Sequence, residues 1–438
     1  MKKLLFAFSF VLLIFAAAAE VTVDFKINKS EPFYKAGEKI VITAQPMADG
    51  KVAAGHTLRG SVRFNTKYVK GIKKFDGGKP IVFEYTPDAP GFLYVKFYLL
   101  DEKGKVVKQK IGRKLKDSCG GYGVMVDADK LVPSAAEPAD FDAFWNQVKA
   151  ELAKVPVREI ERKPVKNAHA NVFDVKISCI GDKPVSGYLC IKKDAKPKSL
   201  PAIVTFHGAG VCSAGAHATR AAEGWICLDV NAHGIENGHP KKFYDDLRES
   251  FYIPKGKPHY PHWGKQDRNT FYFKGMYARV IRALEYVKSL PEWDGKRLVV
   301  SGGSQGGAQT LAAAGLDKDV TLAFCTVPAM CDHFGCTVGH VSGWPRLFYV
   351  KKDGALTDPA AAKTAGYYDG VFFAKRIKCP IYFSTGGHDL TCSPTSVYKA
   401  YNNVPAGVKK IIYFTPNGDH GSSPIKDHKD IIRKYLEK

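Results

Sequence analysis

The chain has 438 residues, room for two or three domains at about 100–200 residues each, and 65 Lys+Arg against 43 Asp+Glu give it a net charge of +22. With 45% hydrophobic, 12% aromatic and 25% charged residues it holds ample material for a buried core, which excludes a disordered chain. The basic balance favours anionic surroundings, but the lysines are scattered and neither a zinc-finger spacing nor an aromatic RNA-binding signature accompanies them, so nucleic acid is not an expected partner.

Lys2 and Lys3, the apolar run Leu4 to Phe15 and the small residues Ala16 to Ala19 read as an export signal cleaved near Ala19. The run is shorter than the roughly 20 residues that cross a bilayer, so the expectation is a secreted or periplasmic protein with no membrane span. Ten cysteines are sparse for a disulfide framework, and several lie in apolar runs where a free thiol packs as a small hydrophobe. Cys179 and Cys190 flank a short turn and form a candidate pair; the connectivity is otherwise open.

From Glu20 to about Asp129 short alternating runs follow one another between turn residues. V-T-V-D-F-K-I places Val21, Val23, Phe25 and Ile27 on one face, and I-V-I-T-A, S-V-R-F, I-V-F-E-Y and F-L-Y-V-K-F-Y-L-L repeat the style. About seven such strands predict an immunoglobulin-like β-sandwich. Its aromatics serve core packing better than a carbohydrate-binding surface.

Pro133 to Pro138 is a linker, and Asp140 stands where it can cap a helix bearing Phe141, Phe144, Trp145, Val148 and Leu152 on one face. Beyond it an antiparallel pair, A-N-V-F-D-V-K-I-S and S-G-Y-L-C-I, precedes six buried-type strands alternating with helical patterns such as Tyr277, Val280, Ile281, Leu284 and Val287. That alternation predicts a doubly wound, mostly parallel α/β sheet. The expected division is therefore a signal peptide over 1–19, a β-sandwich over 20–130 and a doubly wound α/β domain over 131–438.

Leu298-Val299-Val300-Ser301 runs into Gly302-Gly303-Ser304-Gln305-Gly306-Gly307 and an Ala-rich helix. This is G-x-S-x-G in the strand–turn–helix context of a nucleophile elbow, in which small neighbours allow a sharp turn that exposes the serine hydroxyl. A serine hydroxyl is a weak nucleophile and needs a base oriented by a carboxylate, in the chain order Ser, acid, His. Two later strand ends supply them: I-Y-F-S-T ends in Gly386-Gly387-His388-Asp389, and I-I-Y-F ends in Pro416-Asn417-Gly418-Asp419-His420. Asp389 is the expected acid and His420 the expected base, with His388 and Asp419 as neighbouring decoys that break the strand-end pattern or the chain order. Gln305 and Ala209, the latter in the loop His207-Gly208-Ala209-Gly210, are the expected backbone oxyanion donors, and His207 braces that loop.

Phe141 to the C-terminus resembles the acetyl xylan esterase and cephalosporin C deacetylase family, carbohydrate esterase family seven of the α/β-hydrolases. The resemblance rests on F-D-A-F-W, F-H-G-A-G, T-F-Y-F-K-G-M-Y before S-L-P-E-W-D, G-G-S-Q-G-G and G-G-H-D-L-T-C-S-P-T-S. It covers roughly two thirds of the chain and implies a serine carboxylesterase that removes acetyl groups from sugars, with an acetylated carbohydrate as partner and no cofactor or metal. Three positions depart from the family: Ala209 stands where a Tyr is usual, Asn231-Ala232-His233-Gly234 replaces an Arg-Gly-Gln motif, and Gly421 replaces a Glu after the catalytic His.

Cys331, His333, Cys336 and His340 crowd one segment, but their separations do not match a paired zinc spacing, and a loop above the site is the expectation. The stretch Asn237 to Asn269 reads as irregular, a lid or sugar-contacting wall in which Tyr260 and Trp263 would stack on a sugar ring, with His233 as a further substrate contact. A serine peptidase resembling the prolyl oligopeptidases shares the fold and triad order, although this chain lacks their long propeller portion. A glycan-binding surface protein with an idle hydrolase domain is the non-enzymatic alternative, against which the intact Ser, Asp and His set argues. The sugar, the acetyl position and the oligomeric state are not given by the sequence.

Overall fold

The structure is a computed structural model that describes residues 20–111, 114–252 and 259–437. The predicted signal peptide lies outside the described residues.

The N-terminal part is all strand. β1 (Val21–Ile27), β2 (Phe33–Tyr34), β3 (Ile40–Ala48), β4 (Lys51–Phe64), β5 (Lys67–Gly77), β6 (Ile81–Tyr85) and β7 (Gly91–Leu99) are followed by the short β8 (Gln109–Ile111) and β9 (Lys114–Lys116) and by β10 (Ser118–Val126). Among the described residues eight of them form a hydrogen-bonded system ordered β1-β3-β4-β7-β10-β2, with β5 on β4 and β6 on β3, while β8 and β9 pair separately. Alternation explains the core: Val21, Ile40, Ile42, Leu58, Val62, Phe83, Val95, Phe97 and Val124 turn into one buried cluster. Ten strands form where about seven were expected, because short edge pieces such as Phe33–Tyr34 carry too few residues to show a period.

From Phe141 the helix Phe141–Ala153 buries Phe141, Phe144, Trp145, Val148 and Leu152, as its spacing predicts. Asp140 holds the N-cap position but its side chain makes no cap bond. It instead accepts hydrogen bonds from the Tyr367 hydroxyl, 2.5 Å away, and from Arg268, 2.6 Å away, charged and aromatic partners that outcompete a backbone amide.

Among the described residues the second sheet has nine strands: β11 (Glu159–Val165), β12 (Ala170–Ile177), β13 (Val185–Lys192), β14 (Leu200–Phe206), β15 (Ile226–Val230), β16 (Trp293–Gly303), β17 (Leu322–Thr326), β18 (Ile381–Gly386) and β19 (Lys410–Thr415). Their order is β11-β12-β13-β15-β14-β16-β17-β18-β19; the pairings from β11 to β15 are antiparallel and the rest parallel. The strands β14, β15, β17 and β18 are buried almost throughout because both of their faces pack into apolar clusters. No helix among the described residues is long and apolar enough to cross a membrane.

Two expectations are corrected here. The β12–β13 register sets Cys190 opposite Val172, and on its other side Cys190 faces Cys227 of β15, so Cys179 and Cys190 do not meet; all ten cysteines are free thiols. The stretch read as irregular contains the helix Lys241–Tyr252, whose Phe243, Leu247 and Phe251 pack beside Val211 and Ile235.

The N-terminal strands are pressed against the second sheet rather than tethered to it. The Gly123 amide donates to the Pro416 carbonyl at 2.8 Å, and a Cβ at Gly123 would stand 1.8 Å from the Gly387 carbonyl oxygen. A Cβ at Gly121 would lie 2.8 Å from the His388 ring. Phe92, Tyr94, Met125 and Leu131 share an apolar cluster with Tyr398 from the far side of the contact.

Candidate active site

β16 lies in the middle of the parallel strands, and Leu298, Val299 and Val300 anchor it with no exposed surface. The chain then reverses at Ser304, whose backbone (φ 57°, ψ −120°) is a conformation L-residues avoid at a cost of about 1–3 kcal/mol. The reversal requires glycine around it: a Cβ at Gly306 would meet the Phe206 carbonyl oxygen at 2.0 Å, and one at Gly302 the Gly306 carbonyl oxygen at 2.3 Å. The turn is locked by the Ser304 amide donating to Thr326 O at 2.9 Å and by the Ala329 amide donating to Ser304 O at 2.9 Å.

The ends of β18 and β19 are pressed together in the same way. A Cβ at Gly387 would sit 2.3 Å from the Pro416 carbonyl oxygen, so the two loops after these strands run side by side. That closeness brings His420 to Asp389. The His420 Nδ1–H donates to Asp389 Oδ2 at 2.8 Å, and its Nε2 accepts from the Ser304 hydroxyl at 2.9 Å. Asp389 is buried, and its other oxygen accepts the Thr391 amide at 2.7 Å and the Cys392 amide at 3.0 Å, which fixes the carboxylate. Burial pushes the neighbouring Cys392 thiol far above its ordinary range, which leaves it a neutral packing group.

His388 and Asp419 have other partners. The Nε2–H of His388 donates to the Asn417 carbonyl at 3.1 Å, and burial, helped by Lys96, pushes its pKa down to about 4. Asp419 forms an ion pair with Lys116 of β9 at 2.5 Å. Burial opposes its charge, but Lys116, Ser422 and the Gly421 amide hold the carboxyl well below the usual range.

The loop after β14 passes over the serine, where a Cβ at Gly208 would lie 3.6 Å from Ser304 Cβ; the next residue, Ala209, is exposed. Two histidines brace this loop. His207 donates from Nδ1 to Gly208 O at 2.7 Å and accepts the Ala232 amide on Nε2 at 3.1 Å. His233 donates from Nε2 to Gly210 O at 3.1 Å and accepts from the Tyr272 hydroxyl on Nδ1 at 2.6 Å. Burial pushes the His233 pKa down to about 3, so the ring stays neutral.

The three expected sugar contacts are therefore corrected in part. His233, 1% exposed with both ring nitrogens engaged, is a brace beneath the loop. Tyr260 is fully buried, and its hydroxyl donates to Gln305 Oε1 at 2.5 Å, holding the residue that follows the serine. Trp263 is half-buried, with its ring 5.5 Å from Phe251 and 5.4 Å from Tyr272. The expected loop near the site is also more structured than its Cys and His content suggests. Asp332 and Lys399 make a buried ion pair at 2.7 Å, and the adjacent His333 is buried. No group of three or more His, Cys, Asp or Glu among the described residues is arranged to hold a metal ion.

The family model for acetyl xylan esterase (AXE1) matches residues 127–438. The chain belongs to the acetyl xylan esterase family. This esterase is 30% identical over 450 residues to the acetyl esterase Axe7A of Xylanibacter ruminicola, covering 99% of this chain and 96% of that one. The acetyl xylan esterase from Paenibacillus sp. R4 aligns with a TM-score of 0.56 at 27% identity, over 71% of this chain and 98% of the other. Acetyl xylan esterase 1 from Thermoanaerobacterium sp. JW/SL YS485 aligns with a TM-score of 0.56 at 21% identity, over 70% and 96%, a likeness of fold. The esterase is thus a carboxylic ester hydrolase of α/β-hydrolase type.

Its strands 21–126 lie before the matched family region, yet the Xylanibacter relative spans them. Lys96 of β7 belongs to this N-terminal part. Burial pushes its ammonium pKa down, while Asp389 and Asp419 pull it back up. Neither Lys96 nor the Tyr260–Gln305 bond was visible in the sequence, since both depend on contacts between distant segments. The helix Lys241–Tyr252 had a signal, the apolar spacing of Phe243, Leu247 and Phe251.

Proposed function

We propose that this esterase removes acetyl groups from the hydroxyls of sugars, such as those of acetylated xylan or its oligosaccharides, through a Ser304–His420–Asp389 acyl-enzyme mechanism. The observation that carries it is the unbroken hydrogen-bond chain from Ser304 Oγ through His420 to Asp389, at 2.9 and 2.8 Å. Ser304 Oγ attacks the acetyl carbon as its proton passes to His420 Nε2, and Asp389 stabilises the imidazolium. The backbone amides of Gln305 and Ala209 receive the oxyanion. His420 then gives its proton to the departing sugar oxygen, and water, deprotonated by the same nitrogen, releases acetate and frees the serine.

The chemistry uses no metal or organic cofactor. Residues 20–130 act in this reading as an immunoglobulin-like sandwich joined to a hydrolase domain over 131–438, which the mainly antiparallel pairings and the shared apolar cluster of the N-terminal strands support. Export follows from the Lys2-Lys3 and apolar start of the sequence.

The test is acetate release from acetylated xylan and from p-nitrophenyl acetate by the mature protein and by Ser304→Ala. Release by the wild type and its collapse in the variant support the reading. Equal inertness of both proteins on both substrates overturns it, and cleavage of peptide anilides in place of esters would reassign the enzyme to the peptidases.

A further inference from the structure

We infer that the N-terminal strands complete the substrate cleft and supply a binding subsite for the sugar chain that carries the acetyl group. A cavity of about 410 Å³, within the range of small-molecule sites, opens at the seam between the two parts of the chain. One wall is N-terminal, formed by Phe25 of β1 with Lys116 and Ser118; the other comes from the loop after β19, with Asn417, Asp419 and Ser422. Gly421 also lines it, so the cavity reaches the two residues that flank His420.

The lining has the chemistry of carbohydrate recognition. The Phe25 ring is half-buried and held by Tyr122 at 5.3 Å and Phe97 at 6.0 Å, a rigid apolar face for the C–H side of a pyranose ring. The same lining holds Ser118, Ser422, Asn417 and the Lys116–Asp419 pair, residues whose donors and acceptors suit sugar hydroxyls. The wall is held in place: the Gly123–Pro416 backbone bond and the close approach of Gly121 to His388 fix the two sheets to each other beside the cavity, and His388 ties down Asn417. A pocket so placed meets the alcohol portion of an ester whose acetyl group lies at Ser304. Its ligand class is a neutral oligosaccharide of at least two sugar units, one at the serine and the next against Phe25.

The inference rests on the esterase acting on acetylated sugars, so two measurements separate the two claims. The first compares kcat/KM for acetylated xylose and for acetylated xylo-oligosaccharides of increasing length. The wild type is expected to gain at least about tenfold from the monosaccharide to the trisaccharide, Phe25→Ala to lose most of that gain, and Phe25→Trp to recover it. A length-independent kcat/KM, or a gain retained in a folded Phe25→Ala, overturns the subsite. The second needs no turnover: unacetylated xylotriose is titrated into Ser304→Ala with and without Phe25→Ala, followed by calorimetry. Saturable binding that Phe25→Ala weakens about tenfold supports the subsite whatever the outcome of the acetate assay, and no binding by Ser304→Ala overturns it.

Discussion

The two sheets of this esterase use glycine for different ends. In the α/β part, Gly302 and Gly306 let a strand turn into a helix with a serine at the apex, so backbone closeness builds chemistry. In the N-terminal part, Gly121 and Gly123 of β10 turn a strand face into a docking surface that lies on the loops after β18 and β19. The first set sits in a recognisable motif and the second in an ordinary strand. Side-chain removal therefore serves geometry in both places, but only the turn at Ser304 leaves a signature in the local sequence.

The largest way to test that contrast is to remove the hydroxyl of Ser304, the proposed nucleophile. Ser304→Ala should lower kcat by roughly five to six orders of magnitude, as loss of a triad serine does, while the melting temperature stays unchanged or rises because the strained φ remains the only local cost. Acetate release and differential scanning calorimetry on the same preparations check both parts.

Next in size is the docking face. Gly123→Ala forces a Cβ to within 1.8 Å of the Gly387 carbonyl, so we expect a loss of about 3 kcal/mol in urea unfolding together with reduced activity, since the displaced loop leads to Asp389. Unaltered stability would show that the two sheets do not depend on each other.

Acidity probes the same seam. His388 is neutral when folded, with its pKa pushed down to about 4, whereas an unfolded histidine titrates near 6.5. The unfolded state then binds more protons between these values, so stability falls as the pH drops from about 6.5 towards 4, by up to about 3 kcal/mol from this residue. Urea midpoints at pH 7 and pH 4.5 for wild type and His388→Gln should show a smaller acid loss in the variant. The smallest effect is expected from Lys116→Met: its partly exposed pair with Asp419 contributes about 1 kcal/mol or less, so urea unfolding at pH 7 should barely change.

How much of this was legible in the sequence follows from the range of the interactions. The elbow at Ser304 and the strand ends bearing Asp389 and His420 could be placed because each is a local pattern, an apolar run ending in small residues. The alternation in β1, β3 and β7 was equally plain. Tyr260 was misplaced onto a sugar because an exposed-looking H-Y-P-H-W stretch says nothing of the Gln305 side-chain oxygen, 45 residues away, that accepts from its hydroxyl. The helix Lys241–Tyr252 was hidden by its charge, Lys241 and Lys242 facing Asp245 and Asp246 one turn on, which resembles a solvated loop until the i, i+4 spacing is counted.

The bond from Gly123 to Pro416 joins residues 293 positions apart in the chain. At the usual 5–20 residues per second of synthesis, roughly 15–60 s separate the appearance of its two ends. During that interval the first sheet exists without its partner, and its glycine-bared strand face stands open to whatever else is nearby. The seam cannot close before the chain after the final strand has been made.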